Sequence, residues 1–381
     1  MKKIGIITIY DNNNYGNKLQ NYATQEIIKS FNKFEVTTIK NKDRNLYIFE
    51  KIKTKIKYII KFCLKPIIKK IKPNTKFNKN VDKKVLKLRL KNFEEFDKLI
   101  NKTKNFVYMQ NSNSKLDNEY DYFIVGSDQV WNPYFRKPKN KIKPIYLLNF
   151  AEDKKKISFA ASFGISKLPK EAEPEAKRAF NSFKAISVRE EQGKRIIENL
   201  TGRKDVEVLL DPSMLFTDQE WDKVAKKPNQ IKSDRKFILN YFLGNLAASR
   251  KEQINKIAKE NDCYIINILD KNDPFYVCGP SEFLWLEKNA FLICTDSFHS
   301  SVFAILYDKP FVVFDREQKG MNNMGSRIDT LLSKFQLEDR RYNGKEITKE
   351  NLEHDYTNAY KILEEEREKS KKFLEKALDI K

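Results

Sequence analysis

The chain has 381 residues, 40 % of them hydrophobic, with 27 Phe, 17 Tyr and a formal net charge of +22. That length exceeds what a single core usually supports and predicts two domains. No apolar run is long enough to cross a bilayer, and four scattered cysteines (63, 263, 278 and 294) without a CxxC fit a reducing compartment rather than a disulfide frame or a zinc site.

The N-terminal MKKIGIITIYDNNN has a short apolar run and no small-residue cleavage site, so it reads as a first strand and not a signal peptide. Further strands are predicted at 35–40, 121–127, 156–163, 185–189, 206–211, 236–243, 264–269, 291–296 and 310–315. Helical patterns lie between most of them, at 17–31, 172–182, 190–200, 248–261 and 299–307. Continuous apolar strands alternating with helices predict parallel sheets covered by helices. The expected fold is therefore α/β, two Rossmann-like domains facing across a cleft, GT-B-like, with a C-terminal helix. The expected division is 1–185, 186–345 and a helical tail at 346–381.

The segment 44–91 interrupts the alternation. Sixteen Lys or Arg and one acid, Asp82, lie between Lys51 and Lys91, which concentrates most of the excess charge in one insertion. Phe49, Ile52, Ile56, Ile59, Ile60, Cys63 and Ile67 recur at helical spacing among the lysines. Such a basic amphipathic helix suits an anionic membrane surface, through 48–72. It suits equally a stripe packed on the protein's own core. A nucleic-acid binder would spread its charge over a face with exposed aromatics, so no nucleic acid is expected.

Ligands of doubly wound sheets bind at the carboxyl ends of strands, where helix N-termini aim their amides into the crevice. The polar residues that follow strands are thus the candidates. They are Asn14 and Asn17 after the first strand, Ser127, Asp128 and Gln129 in GSDQ, Ser162, Arg189 and Glu190, Asp211 with Pro212, and Asp296, Ser297 and His299 in TDSFH. Asp211 reads as a cap of the turn after it, and Trp131 as a packing residue. His299 is one of only two histidines in the chain. No GxGxxG, GxxxxGK[ST], DxD, HExxH or GxSxG occurs, which disfavours dinucleotide, P-loop, metal-dependent and serine-hydrolase chemistry. What remains is a metal-free transferase acting on an anionic donor.

The blocks GIITIYDNNNYGNKLQNYATQ, YDYFIVGSDQVWNP, ISFAASFG, ISVREEQG, VEVLLDPSMLF, GPSEFLWLEKNAFLICTDSFHSSVFAILYDKPFVVF and GSRIDTLLSKFQL resemble, in order, those of the polysaccharide pyruvyl transferase family. The resemblance runs through most of 3–337, without 44–118. It implies phosphoenolpyruvate as co-substrate, no other cofactor and no metal. The product implied is a pyruvate ketal on two hydroxyls of a sugar in a surface polysaccharide or its lipid-linked precursor. It further implies a cytoplasmic enzyme working at the inner face of the cell membrane. The family's histidine matches His299 and the arginine of its VRE block matches Arg189. Some members carry a second arginine two residues before the histidine. Ser297 stands there instead, so either Arg327, Arg316 or a lysine replaces that charge, or donor binding differs. Arg189, Ser297, His299, Ser300 and Arg327 are then the expected donor side. Asn14, Asn17, Ser127, Asp128, Gln129 and Ser162 are the expected acceptor side. His299 is expected as general acid or phosphate ligand, with its pKa raised by the phosphate, and Asp128 as base. The alternative on the same fold is a glycosyltransferase using a sugar nucleotide.

Overall fold

The computed structural model describes residues 1–43, 79–109, 114–134, 139–316 and 325–380. The apolar stripe expected to meet a membrane, 48–72, lies outside them. Among the described residues no helix is long and apolar enough to cross a membrane.

Each expected strand forms. β1 (Lys2–Ile7), β2 (Phe34–Thr38), β5 (Tyr122–Val125), β6 (Lys156–Ala161), β7 (Ala185–Val188) and β8 (Glu207–Val208) build one sheet in the order β2-β1-β5-β6-β7-β8. β9 (Phe237–Tyr241), β10 (Tyr264–Asn267), β11 (Leu292–Thr295) and β12 (Phe311–Val313) build a second, in the order β10-β9-β11-β12. All of these pairings are parallel. A minimal third pair joins β3 (Asn41–Lys42) to β4 (Val107–Tyr108), the two flanks of the basic insertion. The central strands are buried on both faces, β5 and β6 over their full length, which is why they appear as unbroken apolar runs.

The helices are α1 (Tyr15–Ser30), α2 (Lys79–Asp97), α3 (Ser114–Asp117), α4 (Glu173–Asn181), α5 (Glu191–Thr201), α6 (Asp218–Asp222), α7 (Ala248–Glu260), α8 (Pro280–Asn289), α9 (Phe298–Leu306), α10 (Ser326–Phe335) and α11 (Thr357–Ala377). Their starts follow local chemistry. The Asn14 side chain accepts from the Asn17 amide at the head of α1, and Thr217 with Glu220 closes a capping box on α6.

Two expected boundaries move. The first half does not end at 185, because β7 pairs onto β6 and β8 onto β7, which carries the first sheet to Val208. A short apolar strand carries no mark of the sheet it will join, so its pairing partner is invisible in the sequence. The tail helix begins at Thr357, not at 346. Before it, Thr348 caps a single 3-10 turn at Lys349–Asn351, and the Asp355 carboxylate accepts from the Thr357 amide.

Two helices tie the halves together. α11 packs Tyr356, its preceding residue, with Ala359 and Leu363 into the core of the second sheet, and Phe373, Leu374 and Ala377 onto the first. α2 buries Phe93 and Phe96 in the core shared by α1 and the second sheet. Its fully buried Arg89 donates to the Tyr15 hydroxyl at 2.7 Å and to the Tyr276 carbonyl at 2.6 Å. The described end of the basic insertion therefore packs on the protein itself.

Candidate active site

The carboxyl ends of both sheets meet around a cavity of about 330 Å³. Ile9, Asp11, Asn14, Asn17, Asp128 and Gln129 line it from the first half, and Tyr241, Leu243, Ser297, Phe298, His299, Arg316 and Arg327 from the second. Larger hollows of about 720 and 650 Å³ lie elsewhere, under α11, and their walls mix lysines with acids. None of the residues singled out in the sequence is in them.

On the first half, Asp128 follows β5 in the left-handed region at φ 66°, which turns its carboxylate back toward α1. One oxygen accepts from the Asn17 side-chain amide and the other from the Gln129 amide at 2.8 Å. Arg189 continues β7, its backbone amide bonded to the Ala161 carbonyl at 3.1 Å. Its guanidinium donates to Asp211 through Nη1 and stands 3.5 Å from Asp128 through Nη2. Nε and Nη2 have no hydrogen-bond partner among the described residues. Asp211, buried beyond the end of β8, also accepts from Ser127 Oγ at 3.0 Å and from the Ser213 amide and hydroxyl at 3.0 and 2.6 Å. Burial alone would push the Asp211 carboxyl up. Arg189, then His299 and the Ser213 donors, outweigh it and hold it at about 2.

On the second half, Ser297 precedes α9 and its side chain does not cap the helix. The first amides of α9 thus have no intrahelical acceptor, and Ser297, Phe298 and His299 at its start line the cavity. His299 lies in the first turn, and its ring rests against α1. A Cβ on Gly16 would run into the imidazole, so only glycine fits there. His299 Nε2 is 3.7 Å from Asp211 Oδ2 and has no hydrogen-bond partner. Phe298 stands between two cations, with Arg189 4.3 Å and Arg327 5.8 Å from its ring centre. Arg327 Nε is likewise unpartnered. Burial, then repulsion from Arg189, pushes the Arg327 guanidinium down to about 10, which leaves it charged at neutral pH. Arg316 is held by Asp296, which also accepts the Leu243 and Gly244 amides at 2.7 and 2.8 Å.

His299 is pushed below ordinary histidine. Burial is the largest cause; Asp211 pulls it up, Arg189 down, Asp128 up and Arg327 down. Among the described residues no three His, Cys, Asp or Glu side chains are grouped to hold a metal ion.

The structure brings together Asn14, Asn17, Asp128, Gln129, Ser297, His299 and Arg327 on the cavity wall, with Arg189 behind Phe298. Besides Arg189, three predicted residues are not on that wall. Ser127 donates to the Ala160 carbonyl and to Asp211. Ser162 donates to Glu190, whose carboxylate also takes the Phe163 and Gly164 amides. Ser300 donates at 2.6 Å to Glu287 on the core side of α9. Each hydroxyl is satisfied within the fold. Asp211, read as a turn cap, does accept from Ser213, but it also meets Arg189 and His299. Its position after a strand end was the available signal. Gly16 and Phe298 lie within the quoted family blocks, but neither carries a charge or a hydrogen-bonding side chain that singles it out.

The family model for polysaccharide pyruvyl transferase matches residues 14–318. No curated protein is similar enough to match the chain. Solved structures similar to it include UDP-N-acetylglucosamine 2-epimerase from Rickettsia bellii, at 13% identity and TM-score 0.48 over 100% of this chain and 97% of that one. UDP-GlcNAc 2-epimerase from Neisseria meningitidis is 11% identical with TM-score 0.47 over 99% of both chains. MurG from Acinetobacter baumannii is 10% identical with TM-score 0.41 over 98% and 95%. The family match spans most of the sequence and includes both the Arg189 and the His299 blocks, so the chain belongs to the polysaccharide pyruvyl transferase family.

Proposed function

We propose that the protein transfers the enolpyruvyl group of phosphoenolpyruvate onto two hydroxyls of one sugar in a surface glycan or its lipid-linked precursor. The observation that carries this reading is the buried Arg327, with an unpartnered Nε and no ion-pair partner among the described residues, on a cavity wall that also presents His299 and Asp128, with the ion-paired Arg189 behind Phe298. Buried cations lacking counter-charge are costly unless an anion completes them. A small donor with a carboxylate and a phosphate is such an anion, and the guanidinium fork matches both groups.

The chemistry assigns the remaining roles. Phosphoenolpyruvate is an enol ester, so a proton delivered to its methylene leaves C2 open to attack by a sugar hydroxyl. Asp128, oriented by Asn17, takes the hydroxyl proton. The α9 amides and Arg327, on the wall that includes Ser297, hold the phosphate as it departs. A second hydroxyl then closes the ketal, so one donor and two hydroxyls give one ketal and one inorganic phosphate. His299 either protonates the methylene or binds the phosphate. The basic stretch 48–72 would keep the enzyme at an anionic membrane, each lysine contributing up to ~1 kcal/mol there.

A donor comparison tests the reading. The purified protein is incubated with a glycan acceptor and either phosphoenolpyruvate or a UDP-sugar, and phosphate and UDP are assayed. Acceptor-dependent phosphate release with a mass gain of one pyruvate ketal is expected. UDP release without phosphate would replace it with a glycosyltransferase.

A further inference from the structure

Asp211 does not line the cavity, yet it pairs with Arg189 and stands beside His299, two groups in the donor reading. Its Oδ2 accepts from Arg189 Nη1 and faces His299 Nε2 at 3.7 Å. Its Oδ1 is fixed by Ser213. The carboxylate comes from the first half and the imidazole from the second, so the pair spans the division between the sheets. Gly16 lets the ring lie against α1 and so close to Asp211. The other charges that bear on the ring are Arg189 after β7, Asp128 after β5 and Arg327 on α10. Two cations and two carboxylates nearly cancel. A donor of two or three negative charges then leaves the site short of positive charge, and His299 is the group that can take a proton.

We propose that Asp211 is the positioning residue of the site, holding neutral His299 as the Nε2–H tautomer and supplying the counter-charge that lets the ring take up a solvent proton when the donor anion binds. The proposal rests on the donor reading only in its last clause. A carboxylate facing Nε2 favours a proton there whatever the ligand is. Asp211 also holds Arg189 through Nη1, while Nη2 stands 3.5 Å from Asp128 and Nε has no hydrogen-bond partner among the described residues.

The chain has only two histidines, His299 and His354. In histidine-labelled protein the 15N spectrum therefore contains two imidazoles, assigned by His354→Gln. The wild type without ligand should show neutral His299 protonated at Nε2. Protonation at Nδ1 overturns the proposal, and this outcome needs no Asp211 variant. In Asp211→Asn the His299 midpoint should fall by about one pH unit, a roughly tenfold loss in proton affinity. An unchanged midpoint also overturns the proposal.

Adding phosphoenolpyruvate, or inorganic phosphate as a simpler probe, should raise the midpoint in the wild type and raise it less in Asp211→Asn. In the variant the acid limb of the kcat/KM profile should move to lower pH while the KM for the donor changes less than kcat. Equal losses in both with an unmoved limb would mark a merely structural residue. If phosphate binds and phosphoenolpyruvate does not, the donor reading fails while the tautomer and midpoint still decide the role of Asp211.

Discussion

Arg189 and Arg327 are both buried and both stand beside Phe298, yet their pKa values move in opposite directions. Burial works against each charge. At Arg189, Asp211 and then Asp128 and Glu190 outweigh it, and the guanidinium is held above its ordinary value. At Arg327 no described carboxylate forms an ion pair, and burial with the neighbouring Arg189 pushes it down to about 10. The first half of the molecule is thus charge-balanced before any ligand arrives. The second half carries at Arg327 a buried cation without an ion-pair partner among the described residues, which the proposed reading completes with the donor anion. The difference separates an arginine tied into the fold from one that, in the proposed function, meets the donor.

The largest expected effect falls on the group between the two. His299→Ala should lower kcat by about 10²–10⁴-fold, the usual worth of a positioned acid or base, while circular dichroism and thermal melts remain close to wild type. Collapse of the fold instead would make the imidazole a packing residue and dissolve the contrast.

The two arginines should then separate by measurement. Arg189→Met strands Asp211 in the interior and should cost about 3–5 kcal/mol in denaturant unfolding. Arg327→Met removes a cation with no ion-pair partner, so it should change stability by less than about 1 kcal/mol or increase it. Its KM for phosphoenolpyruvate should rise at least tenfold, the equivalent of about 1.4 kcal/mol. Equal stability losses in the two variants would contradict the contrast.

The smallest effect is on pH dependence. His299 binds protons less readily folded than unfolded, so between its lowered midpoint and about 6.5 the unfolded chain holds more protons. Stability therefore falls as pH drops below about 6.5. His299→Gln should flatten that slope, and a saturating donor anion should reduce it too. Asp211 acts at lower pH, its contribution present above about 4 and lost as pH falls toward about 2. A wild-type stability profile that is flat from pH 7 to 5 would remove the burial argument for His299.

The fold was legible wherever strands were buried on both faces, because a run such as Tyr122–Val125 can only be apolar. Much of the site was legible too, since His299, Asp128 and Arg189 each follow a strand end. The serines were misread for a local reason. Ser127 and Asp128 are chain neighbours, but the left-handed turn at Asp128 sends one side chain inward to Asp211 and keeps the other on the cavity. Ser300 follows His299 in a helix, where adjacent positions face different ways, and it points at Glu287.

The sequence by itself determined the two parallel sheets, the polar residues at their carboxyl ends and the family to which the chain belongs, because apolar runs and motif blocks are local in the chain. Only the tertiary structure decided that strands 185–188 and 207–208 join the first sheet, that Gly16 makes room for His299, and that Asp211 rather than Glu190 pairs with Arg189. Those outcomes depend on which distant segments pack against one another, and a buried charge takes its energy from whichever partner that packing brings within reach.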